Sequence, residues 1–308
     1  MEDAVLLISP KQFLALPERN NVIRRHIRFG LSLLTAAALL FTSAGCNTPD
    51  TVSTFCSAAV TTLSSTTNVL ADLGSSCLRE VNDNTYSLGS FHLPVTSDPN
   101  CNAITIQANA STAAAKLLSE YFSTLNSLAT VGTSTPSTDA GTLAGNATTV
   151  AGLTADQKTA MTSLAQDLTT GIMSAYQYRK LAEDVPKAKT NVDDIVAALI
   201  SVIQANYIDQ LLKDEESKLA NPYKAFLSQH SSPEAELLLD QRWQADEQAL
   251  QARRASAQSA IAALQTLQKG FDQLADNATK VKAKEVPGLL APYVSQLQIL
   301  IPQIQKAY

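Results

Sequence analysis

Apolar residues recur along this chain at helical spacing, and no series of alternating strands interrupts them. Val52, Phe55, Ala59, Leu63, Leu70 and Leu73 share one face and predict a helix over 52–73, although its many threonines are poor helix formers. Residues 75–102 read as a loop because turn formers cluster there: Asn82-Asp83-Asn84, Gly89, Pro94 and Asp98-Pro99-Asn100. Ile104, Ala108, Leu117, Tyr121, Leu125 and Leu128 predict a second helix over 104–131. The Gly/Ser/Thr-rich stretch 132–152 reads as a flexible connector that cannot hold a core.

Helical signals strengthen from Thr154, which forms a capping box with Gln157. That helix is expected to stop before Pro186, where the missing N–H breaks the ladder. The next runs over 191–219 with Asp193 and Asp194 in its first turn, where the helix dipole favours carboxylates. Asn221-Pro222 and Ser231-Ser232-Pro233 bracket a short helical turn at 223–227; Ser232 then caps a helix that has Pro233 at its first position. In that last helix Trp243, Leu250, Ala257, Leu264, Phe271 and Ala278 recur every seven residues, beside a row of Leu239, Ala260, Leu267, Leu274 and Val281. Carried over 233–284 it would be ~75 Å long, with Asp246, Glu247, Arg253 and Arg254 interrupting the seam. Pro287-Gly288 is expected to end it, before a final helix over 289–306 that has Pro292 near its start and a kink at Pro302. The predicted fold is all-α: an elongated, mostly antiparallel bundle of five or six helices, with a long heptad-patterned helix near the C-terminus and alanine-rich seams such as 255–263 where helices approach closely.

Upstream of these helices, Arg24, Arg25 and Arg28 precede thirteen uncharged, mostly apolar residues, Phe29 to Phe41. The run is too short to cross a bilayer and has the length of a signal-peptide core. Small residues Ser43-Ala44-Gly45 lead into Cys46, which resembles the lipobox of bacterial lipoproteins; Ser43 departs from it, standing where that pattern has an aliphatic residue. The resemblance covers about 25 residues. It implies that residues 1–45 are cleaved and that Cys46 is diacylated, so that the lipid bilayer is a partner through Cys46. Asn47, in place of the aspartate that inner-membrane lipoproteins resemble one another in having, implies the outer membrane, facing the periplasm. Residues 1–21 do not look like an n-region, and translation starting near Val22 would account for them. A twin-arginine reading of Arg24-Arg25 lacks the rest of that motif, and an ordinary secretory signal is the plainer alternative. The expected organisation is a signal region 1–45, a Ser/Thr-rich, cysteine-containing segment 46–103 and a helical bundle 104–308.

Removing 1–45 takes away Lys11, Arg19, Arg24, Arg25, Arg28, Glu2, Asp3 and Glu18, leaving 18 basic and 25 acidic side chains and a net charge of −7. Without a dense basic run, that charge argues against nucleic acid as a partner. Beyond Cys46 the most apolar run, 195–203, stops short of membrane length. Cys56, Cys77 and Cys101 remain for disulfides: Cys77–Cys101 is favoured because it would restrain the turn-rich loop, then Cys56–Cys77, then Cys56–Cys101. No cysteine pair has zinc-ligand spacing, and no metal or cofactor is expected.

His92 and His230 are far apart in sequence and read as solvated loop residues, which lowers the expectation of acid–base chemistry. P-loop, dinucleotide, His-Glu-x-x-His and nucleophile-elbow motifs are missing from the sequence. Asn82-Asp83-Asn84 is only a faint calcium-loop match and reads as turn chemistry. Asp214-Glu215-Glu216 and Asp246-Glu247 read as a solvated helix face balanced by Lys213, Lys218, Arg242 and Arg253 rather than as a catalytic pair. Trp243, with Tyr223 and Phe226, is the candidate partner anchor; its plainer reading is a small cluster closing the hairpin. The expected function is a non-enzymatic, membrane-anchored envelope lipoprotein acting as a structural or protein-interaction module with an envelope protein partner. The alternative is a periplasmic or surface binding module for a small apolar or peptide ligand.

Overall fold

The computed structural model describes residues 48–86, 93–130, 138–170, 177–229, 232–278 and 286–308; Cys46, the expected signal region 1–45, His92 and His230 lie outside them. Cys46–Tyr308 is one compact unit, and among its described residues every regular element is helical. The elements are α1 (Thr48–Tyr86), a 3₁₀ turn (Pro99–Cys101), α2 (Asn102–Thr130), α3 (Ala140–Ala147), α4 (Ala155–Thr170), α5 (Gln177–Ser201), a π-helical stretch (Val202–Leu211), α6 (Leu212–Gln229), α7 (Pro233–Asp276) and α8 (Val286–Gln305).

Side-chain pairs fix the helix directions. Cys77–Cys101 joins the end of α1 to the entry of α2, while Ser53 near its start bonds Asn126 at the far end of α2, so the two run antiparallel. Antiparallel pairing also holds for α6 and α7, where Glu216 meets Arg254 and Tyr223 meets Asp246, and for α7 and α8, where Ser256 bonds Ile304 and Gly270 lies against Tyr293. By contrast α1 and α6 run parallel, with Ser76 on Glu215 and Lys218 on Glu80.

The face predicted for the first helix is the core: Val52, Phe55, Ala59, Leu63, Leu70 and Leu73 are all buried. Phe55, Phe122, Tyr121 and Phe271 meet edge to face at centroid distances of 5.5–6.1 Å, each such pair adding about 0.5–1.5 kcal/mol to the area buried. Gly270 makes this possible, since a Cβ there would overlap the Phe55 ring. Hydroxyls in these helices turn back onto the preceding turn, as in Thr66 to the Thr62 carbonyl at 2.8 Å and Thr105 to Cys101 at 3.0 Å. Back-bonding of this kind lets hydroxyls enter the core satisfied, although the buried Thr62 and Ser111 hydroxyls have no partner among the described residues.

Several local expectations need correction. The 75–102 loop begins later, because α1 continues to Tyr86 with Asn82-Asp83-Asn84 inside it; buried Ser76, disulfide-bonded Cys77 and ion-paired Arg79 hold the extra turns by tertiary contacts. Within the 132–152 connector, α3 places Ala140, Ala144 and Ala147 on one buried stripe, so small side chains suffice for close packing there. Helix α5 runs through Pro186, whose ring is exposed while Val185, Ala188 and Val192 stay buried; burial on both sides outweighs the ~3 kcal/mol cost of proline. Pro222 likewise lies inside α6, so no separate short turn exists at 223–227. The long helix ends at Asp276, about 66 Å from its start, and Pro287-Gly288 sits inside the first turn of α8, where the N–H that proline lacks would have had no helical partner. The capping box holds: Thr154 N–H donates to Gln157 Oε1 at 3.0 Å and Gln157 N–H to Thr154 Oγ1 at 3.2 Å. So does the Ser232 cap, whose hydroxyl accepts from Ala235 N–H.

The described helix from Ala182 to Ser228 is long and apolar enough to cross a membrane by composition, with a mean hydropathy of 1.5 in its best window, yet 56% of that window is buried within the bundle.

Candidate functional site

The interruption in the long-helix seam is filled by charge. Asp72 accepts two hydrogen bonds from the Arg79 guanidinium, at 3.0 and 2.6 Å, and a third from the Tyr207 hydroxyl. Arg79 Nε donates to Glu215 at 2.8 Å, Arg253 donates to the same carboxylate oxygen, and Ser76 takes the other at 2.8 Å. Glu215 is only 2% exposed. Two carboxylates and two guanidiniums from α1, α6 and α7 therefore balance one another, as desolvated charges must. Asp72 and Glu215 outweigh the burial that would lower the Arg79 pKa and push it up instead. Burial first, then Tyr308 and Asp72, push the Tyr207 phenol up, so it stays protonated as a donor; Tyr308 lies 2.9 Å from it. Lys218 on Glu80 and Arg254 on Glu216 extend the clamp outward.

Next to the clamp a cavity of about 220 Å³ is lined by Asn82, Asp83, Pro94, Arg242 and Asp246 together with Arg79, Glu215 and Arg253. Burial, with Glu215 and Asp246 nearby, raises the Asp83 pKa to about 6. Glu215 is engaged by Arg79 and Arg253, and Asp246 by Tyr223 and Arg242. Among the described residues no nucleophile with an adjacent base faces the cavity, and no group of histidine, cysteine and carboxylates is arranged to hold a metal. The geometry is that of a clamp.

Beyond the clamp, α6 and α7 continue as a helical hairpin. Leu219 and Leu250 are buried, and between them no described residue is. The 233–249 part of α7 alone is ~25 Å long. Between the helices lies an apolar groove of about 250 Å³ lined by Ala220, Tyr223, Leu227, Leu239 and Trp243, with Lys224, Glu236 and Asp240 at its edges. Leu237 is 58%, Leu238 66% and Phe226 44% exposed nearby.

The sequence reading of Asp214-Glu215-Glu216 as a solvated face is thus overturned at Glu215, which is buried and ion-paired; Arg253 on Glu215 and Arg242 on Asp246 do serve as balancing cations, whereas Lys218 pairs with Glu80 instead. Trp243 and Tyr223 come together on the groove, and both also pack against the core cluster. Asp72, Ser76, Arg79 and Glu80 were missed by that reading, although Asp72 and Arg79 stand seven apart on the helix row of buried Ser65 and Ser76. Cys77–Cys101 is bonded; Cys56 is a free, buried thiol whose pKa burial pushes up to about 12. Comparison with models of known families, with curated proteins and with solved structures found no match.

Proposed function

We propose that this chain is a lipid-anchored envelope protein whose helical bundle acts as a structural or protein-interaction module, with the α6–α7 hairpin as its docking end. The observation that carries this is the hairpin itself. Thirty consecutive positions, 220–249, include no buried residue among those described, yet they carry Leu237, Leu238, Phe226, Tyr223 and Trp243. Apolar surface gathered in one place, rimmed by charge, is the usual mark of an interaction site. Trp243 and Tyr223 are of the residue types that anchor interfaces. Below the tip, the seven-residue rows of α7 make a coiled-coil-like seam that gives the hairpin a stiff base. Support for anchoring comes from the Arg24–Cys46 segment, whose order of basic, apolar and small residues before a cysteine is that of a lipoprotein signal.

Two measurements test the reading. The mass of the N-terminal peptide from the membrane fraction is expected to show diacylglyceryl on Cys46, lost in Cys46→Ala; an unmodified Cys46 would remove the anchor. A photo-crosslinker placed at position 238 is expected to trap one protein partner in intact cells, whereas one at exposed Gln166 on α4 does not; equal yields at both would remove the docking end.

The alternative, a module for a small apolar or peptide ligand, draws on a separate cavity of about 320 Å³ beside the π-helical stretch. Leu73, Ile104 and Leu211 form its apolar part, and Gln107, Asn206 and Gln210 supply carboxamides that suit a peptide backbone.

A further inference from the structure

The hairpin groove is apolar at its floor and acidic at its edge, and that combination selects among partners. Within 220–249 the charged residues are Glu234, Glu236, Asp240, Asp246 and Glu247 against Lys224 and Arg242. Arg242 is engaged by Asp246 through a 3.2 Å ion pair, and Asp246 also accepts from Tyr223. The charged residues that line the groove are therefore Glu236 and Asp240 from α7 against Lys224 from α6, an acidic excess. A second copy of this hairpin would bring the same acidic excess against itself. An anionic lipid surface would be repelled in the same way.

We propose that the groove between α6 and α7 docks an amphipathic helix of a partner protein, one whose apolar stripe is flanked by lysine or arginine. The inference rests on the docking reading above and names the partner's chemistry. The exposed part of α7 is long enough for a helix of four to five turns to lie along it, since 17 residues rise ~25 Å. An incoming stripe at i, i+3, i+4 and i+7 spacing would cover Tyr223, Leu227, Leu239 and Trp243, which share the groove, as helix-in-groove recognition requires. Basic flanks would then meet Glu236 and Asp240 at the groove edge. These contacts speed encounter and fix orientation more than they add affinity, so the association rate should fall steeply with salt.

Trp243 is the sole tryptophan in the chain and lines the groove, so its fluorescence reports occupancy in the full protein without a label. The probes are two synthetic 18-residue helices with one shared leucine stripe, flanked by lysine and arginine in one and by glutamate in the other. The basic helix is expected to shift Trp243 emission and bind at least tenfold tighter than the acidic one. Glu236→Lys/Asp240→Lys is expected to invert that preference, and Leu227→Ser/Leu239→Ser, at the groove itself, to weaken both helices about tenfold, with circular dichroism unchanged. Equal binding of the two helices, or a preference that survives the charge reversal, would overturn the basic-partner assignment. Binding of neither, with the protein dimerising in sedimentation and Leu238→Ser restoring the monomer, would overturn it in favour of a second copy. Binding of neither by a monomeric protein would also overturn it, and the crosslink from position 238 in cells then decides separately whether the docking reading stands.

Discussion

The two halves of α7 follow one hydrophobic rhythm and meet opposite fates. From Leu250 onward the seven-residue row is sealed: Leu250, Ala257, Leu264, Phe271 and Ala278 are each no more than 2% exposed. Before Leu250, the row's preceding member, Trp243, is half-buried, and Leu237 and Leu238 are among the most exposed apolar side chains described. Both halves have apolar residues at spacings that call for packing. The difference lies in what is available to pack: α1, α5 and α8 flank the second half, whereas the first half has α6 beside it and meets the end of α1 only across the cavity at Arg242 and Asp246. A regular apolar row thus announces a seam without saying that the covering helix belongs to the same chain.

The strongest way to break the comparison is in the sealed half. Phe271→Ala removes a ring that packs edge to face on Tyr121 and Phe122 and is expected to cost ~3–5 kcal/mol of stability in urea unfolding. At the boundary between the halves, Glu215→Ala leaves Arg79 and Arg253 facing each other without their shared carboxylate, and a loss of about 3 kcal/mol is expected by the same measurement.

Asp83 sharpens the boundary through pH. Its folded pKa of about 6 lies above that of the unfolded chain, so its ionisation disfavours folding above pH 6, and the penalty fades as pH falls through 6 towards 4. Asp83→Asn should therefore raise stability at pH 7 by about 1 kcal/mol, allowing for solvent screening, and change it little at pH 4; thermal melts across that range give the check. The smallest effect is expected at the tip. Leu237→Ser/Leu238→Ser should move stability by no more than about 0.5 kcal/mol, because these side chains make no core contact to lose. A loss as large as that of Phe271→Ala would show that the tip is folded against the bundle and would erase the contrast.

The helical fold, the core faces of α1 and α2, the Thr154 and Ser232 caps and the favoured disulfide were legible because each rests on local spacing or on residues close in sequence. Element ends were less so. Pro186 and Pro222 carry strong local penalties, which distant burial at Val185, Val192 and Leu219 overrides. The π-helical stretch buries Val202, Ile203, Tyr207, Ile208 and Leu211 on a period that a 3.6-residue template does not track. The tip was half legible: Trp243, Tyr223 and Phe226 stood out by residue type, whereas Leu237 and Leu238 look in sequence like any core leucines. The clamp was hidden, since Asp72 and Arg79 come together with Glu215 only once helices 136–143 residues apart in sequence lie side by side.

The length of α1 bears on how the chain is oxidised. Cys56, Cys77 and Cys101 allow three pairings among themselves, and in an unfolded chain Cys56 and Cys77, 21 residues apart, are slightly closer neighbours than the 24-residue native pair. Once α1 is helical, those 21 residues form a rod that holds the two sulfurs about 32 Å apart, far beyond the reach of a disulfide. Helix formation before oxidation therefore removes the competing crosslink by distance alone and leaves Cys77 only the cysteine that the returning chain delivers.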